Sequence, residues 1–190
     1  LPIILFTASA GLAIAFAYLM MAALPQTAGV LAGNKAYPDN FLAWNEIAVA
    51  VKALHRENEI LVADNFMLAA QLRFAYAGKQ EPYVLKHLLN EKHGRARQLQ
   101  DWQVDETALS VREKNIPVLI VIEETATKEW LRDGHRAELC KTFHSPVFEK
   151  VVYGPGNHTA RGKYFSIFRA RLGASSEACA FEIPSPVGAG

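Results

Sequence analysis

Apolar residues fall along this chain in three patterns. The first is a charge-free run from Ile3 to Leu24, closed by Pro25, with no charged residue before Lys35. At about 1.5 Å per residue this run reaches roughly 33 Å, enough to cross the hydrocarbon core of a bilayer. A signal peptide would open with Met and a basic stretch, whereas this chain opens Leu-Pro. A buried core helix would normally be shorter and carry polar positions. The pattern predicts a transmembrane helix over residues 1–25. The missing initiator Met predicts that the chain is a piece of a longer membrane protein, its last span followed by its C-terminal domain. With no preceding loop, the basic-residue rule cannot set the orientation.

The second pattern is helical. Phe41, Trp44, Ile47, Ala48, Val51 and Leu54 make a stripe that Asp39 or Asn40 can cap, ending near His55 and Arg56. Leu68, Leu72, Ala75 and Tyr76 make another, capped by Asp64 or Asn65. A third helix is expected from Lys128 to Phe143, capped by Thr127 and anchored by Trp130, Leu131 and Leu139. The third pattern is the short apolar run. ILVA, ending at Asp64, reads as a buried strand whose carboxylate emerges at its end; Tyr83–Lys86 reads as a second strand and Ile116–Ile122 as the clearest of all. Val147–Tyr153 and Tyr164–Leu172 flank a Gly-rich loop and read as a hairpin. Strand, helix and strand from Ile60 onward form a βαβ unit around which the rest is arranged.

The expected fold is therefore α/β: an N-terminal transmembrane helix, then a small Rossmann-like sheet with flanking helices and a C-terminal β-hairpin. Residues 26–38, rich in small residues with Gly29, Gly33 and Pro38, form a linker; 39–172 form the soluble domain; 173–190 read as a disordered tail. A formal net charge of +1 gives no field suited to nucleic acid. The 51% hydrophobic content is concentrated in the first helix, so the soluble part is ordinary in composition.

If the strands ending at Asp64, Lys86 and Glu123 run parallel, one sheet edge collects Asp64, Lys86, His87, Glu123 and Glu124. That edge is where open α/β sheets bind ligands, although caps and exposed strand ends account for the same residues without function. Lys86, Lys92, Arg95 and Arg97 stand against the single acid Glu91, with His87 and His93 beside them. This stretch is either a solvated surface or a contact for phosphate or an anionic headgroup. Gly94 breaks it into a loop entering a short helix. On that helix Arg95, Gln98 and Trp102 recur at three and four residues and share a face. Three motifs are excluded. The GxG of Gly154–Gly156 joins two strands and opens no helix, so it is no dinucleotide fingerprint, and neither HExxH nor paired CxxC spells a zinc site. Asn157-His-Thr159 is a glycosylation sequon by spelling only. Cys140 and Cys179 could pair in an oxidising compartment. Cys140, however, reads equally as a buried thiol, and Cys179 lies in a tail with little reason to dock.

WNEIA at Trp44–Ala48, ADNFMLAAQLRF at Ala63–Phe74, YVL at Tyr83–Leu85, and the series Gly94-Arg95, Gln98, Trp102 follow one another in a familiar order. The run resembles the C-terminal region of bacterial glycosyltransferase family 39 membrane proteins, which include relatives of protein mannosyltransferases and of the lipid A aminoarabinose transferase. Two positions depart: the family's frequent glycine before Trp44 is Ala43, and its frequent aromatic after Gln98 is Leu99. The resemblance implies an enzyme of the bacterial inner membrane, with this domain on the periplasmic side, that moves a sugar from a polyprenyl-phosphate carrier to a lipid or other acceptor. It implies partners in that donor, that acceptor, the membrane and the chain's own upstream transmembrane domain. The family's catalytic acids lie in an early outer loop with no counterpart here, so no catalytic residue is carried over. Substrate contact is expected from Arg95, Gln98, Trp102, Asp64 and Lys86. No cofactor is expected on these residues, while the resemblance allows a divalent metal in the full-length enzyme. The alternative is a non-enzymatic, membrane-anchored domain that binds a partner or an anionic lipid.

Overall fold

The computed structural model describes residues 2–23, 43–154, 163–174 and 179–184. The expected linker, the Asp39 or Asn40 cap and the sequon fall outside these residues. The charge-free run forms helix α1, Pro2–Ala23. Its apolar side chains face outward, Ile3 77% and Phe16 64% exposed, so no packing among the described residues covers them. Thr7 returns its hydroxyl to the carbonyls of Ile3 and Ile4, so that this polar group is satisfied within the helix. The helix is long and apolar enough to span a membrane.

The remainder folds as an open five-stranded mixed sheet with helices on both faces. In chain order it runs α2 (Trp44–Leu54), β1 (Ile60–Ala63), α3 (Phe66–Ala75), β2 (Tyr83–Val84), α4 (Leu88–Lys92), α5 (Ala96–Asp101), α6 (Glu106–Ser110), β3 (Pro117–Glu123), α7 (Glu129–Leu139), β4 (Phe143–Tyr153) and β5 (Tyr164–Leu172). The strand order is β2-β1-β3-β5-β4; β1 is parallel to both β2 and β3, and β5 runs antiparallel between β3 and β4. The expected α/β class, with its βαβ unit and hairpin, is what the chain adopts.

β3 explains the layering. Its side chains alternate faces, and both faces are covered, so it reads as a continuous apolar run. Leu119 and Val121 meet Ile47 and Val51 of α2 and Leu68 and Leu72 of α3. Val118, Ile120 and Ile122 meet Leu109 of α6, Leu139 of α7 and Phe143, Phe168 and Phe181.

Three boundaries differ from the sequence reading. β4 starts at Phe143, where a helix was expected, because fully buried Phe143 pairs with Leu172 in the sheet. Pro146 lacks a donor, and the register shifts between His144 and Val147 with Ser145 at φ 52, so the strand pattern is broken where the sequence would show it. Trp130 is 76% exposed and anchors nothing, whereas the other two expected anchors, Leu131 and Leu139, do face inward, with His135 between them on the same stripe of α7. The tail also docks where described: Phe181 is buried against Phe168, and Cys179 is disulfide-bonded to Cys140. The apolar surface left by β5 and α7 gives the tail the partner that its own composition does not announce.

Candidate functional site

The crossover between β1 and β2 builds one wall of a groove, and the stretch after β2 builds the other. Asn65 caps α3, its Oδ1 accepting from the amides of Met67 at 3.0 Å and Leu68 at 3.1 Å. Buried Asn90 ties the walls together: its Oδ1 accepts from the Phe66 amide at 2.9 Å, and its Nδ2 donates to the Leu85 carbonyl at 2.8 Å. Gly94, at φ 65, ends α4 in the left-handed conformation that glycine adopts without a Cβ penalty. The Arg95 amide then donates back to the Asn90 carbonyl at 2.8 Å.

α5 follows, with Leu99 pinned in the core, Arg95 just before its first residue and Trp102 just after its last. The groove between α3 and α5 encloses about 780 Å³ and brings Arg95, Gln98 and Trp102 together. Its walls are apolar, with Phe66, Ala69, Phe74, Leu99 and Val104 prominent. Phe74 is 84% and Trp102 57% exposed, so two large rings flank an open mouth. Arg73 is ion-paired with Glu81 at 3.0 Å. Arg95 has a different partner: its Nη1 donates to Gln98 Oε1 at 2.8 Å, and its guanidinium lies 5.9 Å from the Phe66 ring centroid. Among the described residues no carboxylate neutralises Arg95.

Lys86 and Asp64 do not join this groove. Lys86 is exposed beside a different cavity, with its backbone amide donating to Glu106 Oε2 at 3.0 Å. Asp64 does not emerge from its strand. It is fully buried, with Oδ1 accepting from Asn65 Nδ2 at 2.9 Å and Oδ2 from the Glu123 amide at 3.0 Å. Asn65 Nδ2 also reaches Glu123 Oε2 at 3.2 Å, and Glu123 Oε1 pairs with buried Lys163 at 2.9 Å. The Lys163 ammonium lies 3.9 Å from the centroid of the Trp44 ring. This chain of contacts ties β1 and β3 to α2.

The parallel strands do bring their carboxyl ends to one edge, where Asp64, His87, Glu123 and Glu124 are all buried. The sequence reading missed His135, which α7 delivers to the same place. Its ring stands edge-on to that of His87, centroids 5.3 Å apart. The signal for it was the helical spacing of Leu131, His135 and Leu139, hidden by the more conspicuous Trp130. Burial, helped by the neighbouring His135, holds His87 down to about 4, and burial likewise lowers His135. Burial first, then the charge of Glu123, pushes Asp64 well above the usual carboxylate range.

No family model, curated protein or solved structure matches the chain. The groove and the short motifs that form it are therefore the features from which a function can be read.

Proposed function

We propose that this chain is the membrane-anchored C-terminal domain of a glycosyltransferase that uses a polyprenyl-phosphate-linked sugar, and that the groove between α3 and α5 receives the lipid carrier. The observation that carries the reading is Arg95: a guanidinium with no carboxylate partner among the described residues, at a largely apolar groove whose Arg73 and Glu81 pair with each other, in a chain with a helix long and apolar enough to span a membrane. An isoprenoid phosphate has matching parts. Its chain suits Phe66, Phe74 and Leu99, and its phosphate suits the planar fork of Arg95, whose partner Gln98 is neutral and leaves the charge unsatisfied. Trp102, half-exposed at the mouth, can stack on a sugar or rest at the membrane interface.

Two further observations support the reading. Ala43 stands where family 39 members often carry glycine, and its φ of 68 is the conformation that glycine takes at least cost. The Cys140–Cys179 disulfide suits an oxidising compartment and hence the periplasmic side of the inner membrane. On this reading the domain handles the carrier, and chemistry belongs to acidic residues elsewhere in the enzyme.

The test is a titration of Trp102 fluorescence in the full chain, held in detergent, with undecaprenyl phosphate, undecaprenol and phosphatidylglycerol. A saturable response to undecaprenyl phosphate is expected, weaker for the alcohol and absent in Trp102→Phe. Arg95→Lys keeps the charge but loses the bidentate fork and should weaken binding by about tenfold or more at unchanged melting temperature. An equal response to phosphatidylglycerol would favour an anionic-lipid-binding anchor domain instead. Binding within about twofold of wild type in Arg95→Lys would remove Arg95 from the site.

A further inference from the structure

The carboxyl edge of the parallel strands holds a second constellation, separate from the groove. One donor atom each from Asp64, His87 and His135 lie within 4.8 Å of one another. They come from the end of β1, the residue before α4 and the middle of α7, so only the fold assembles them. Asp64 and His87 are buried, and the Nε2 of half-buried His135, shielded from solvent, has no hydrogen-bond partner among the described residues. A cavity of about 410 Å³, lined by His87, His135, Thr127 and Glu106, opens beside them. A buried ring nitrogen with no partner is costly unless something fills its lone pair.

We propose that Asp64, His87 and His135 form a binding site for a zinc-class divalent ion, and that loading it releases the Leu89 amide from His87. Two imidazoles and one carboxylate are the donor set of an open zinc site, with a fourth position left for water or a substrate oxygen. Zinc–donor bonds of 2.0–2.1 Å set neighbouring donors about 3.3 Å apart. The three groups therefore close in on the ion, and His135 Nε2 has no hydrogen-bond partner among the described residues to give up.

The release of Leu89 follows from the tautomer of His87. Its Nδ1 accepts the Leu89 amide at 3.1 Å, so the ring proton sits on Nε2, directed at Thr127 Oγ1 3.0 Å away. An ion at Nδ1 takes the lone pair that Leu89 uses. An ion at Nε2 requires the ring proton on Nδ1, facing the Leu89 N–H. Either way the cap of α4 opens, and α4 carries Asn90, which fastens the groove wall through Phe66.

The experiment uses the full chain in detergent, labelled with 15N-leucine and titrated with Zn²⁺ and then Co²⁺. One equivalent of Zn²⁺ should bind, raise the melting temperature and shift the Leu89 amide. Co²⁺ should give the visible bands of a low-coordinate site, and Mg²⁺ should do none of this. His135→Ala should lower the affinity by more than the ~10–100-fold that loss of an outer-shell partner produces, at unchanged melting temperature without metal. His144→Ala, removing a histidine remote from the cluster, should leave binding intact. The proposal is overturned by no stoichiometric binding, by binding that survives His135→Ala, or by a Leu89 amide that does not respond in the wild-type chain.

Discussion

Gly154 shows how tightly single atoms are constrained at the end of β4. A Cβ built there would lie 2.4 Å from the Cβ of Ala43, nearer than two such carbons can approach. Ala43 is itself buried just before α2, and the Gly154 amide donates to the Lys163 carbonyl at 2.8 Å, so neither side has room to retreat. Gly154→Ala should destabilise the domain by about 1–3 kcal/mol, the usual penalty for overpacking. Removing the opposing methyl tests the cause. Ala43→Gly combined with Gly154→Ala should recover part of the loss, and a denaturant-unfolding double-mutant cycle would measure the coupling. Strictly additive effects would mean that the two carbons never meet. Asp64 and Arg95 make a related point at the same scale. Both are charged residues at element boundaries, Asp64 after β1 and Arg95 before α5, yet one is fully buried under two hydrogen bonds and the other reaches a groove. Sequence could nominate both as ligands of a substrate; only their surroundings separate them.

Among the elements, the docked tail is the one most open to perturbation. Phe181 is 4% exposed against the face made by β5 and α7, and the Cys140–Cys179 bond closes a loop of 39 residues' separation. In the chain-entropy picture a cross-link of that span restrains the unfolded chain by about 3–4 kcal/mol. Reduction, or paired replacement of both cysteines by serine, should lower unfolding stability by about 2–4 kcal/mol. The tail, freed, should become the first site of proteolysis while the sheet stays folded. Two free thiols in the unreduced, denatured protein would contradict the bond. α5 was legible as a short helix after Gly94; of Arg95, Gln98 and Trp102 only Gln98 lies within it, the other two flanking it at the same groove. The groove opposite was not legible, because it depends on where α3 lies. The shift of β4 to Phe143 was hidden by Pro146, and the stripe of α7 by Trp130, the kind of large ring that sequence reading takes for an anchor.

For the whole molecule, the question is on which side of the membrane the domain stands. α1 is long and apolar enough to cross, and the proposed transferase role would put the domain, with its disulfide, on the oxidising side. A reporter that works only in the cytoplasm, fused after Gly190, should give no signal in cells, whereas a periplasmic enzyme reporter at the same point should be active. Cytoplasmic fluorescence would reverse the topology and remove the compartment on which the proposed transferase role depends.

The sequence by itself determined the apolar first helix, the α/β class and the parallel arrangement implied by strand, helix and strand. These follow from period and run length, which are local properties that neighbouring residues carry together. Only the tertiary structure decided which charged residues face solvent, what the tail packs against, and that His135 meets Asp64 and His87. Those are contacts between elements far apart in the chain, and no spacing along it encodes them. Burial then acts on the assembled groups, holding His87 neutral and Asp64 reluctant to ionise, because the low-dielectric interior penalises charge wherever the fold excludes water.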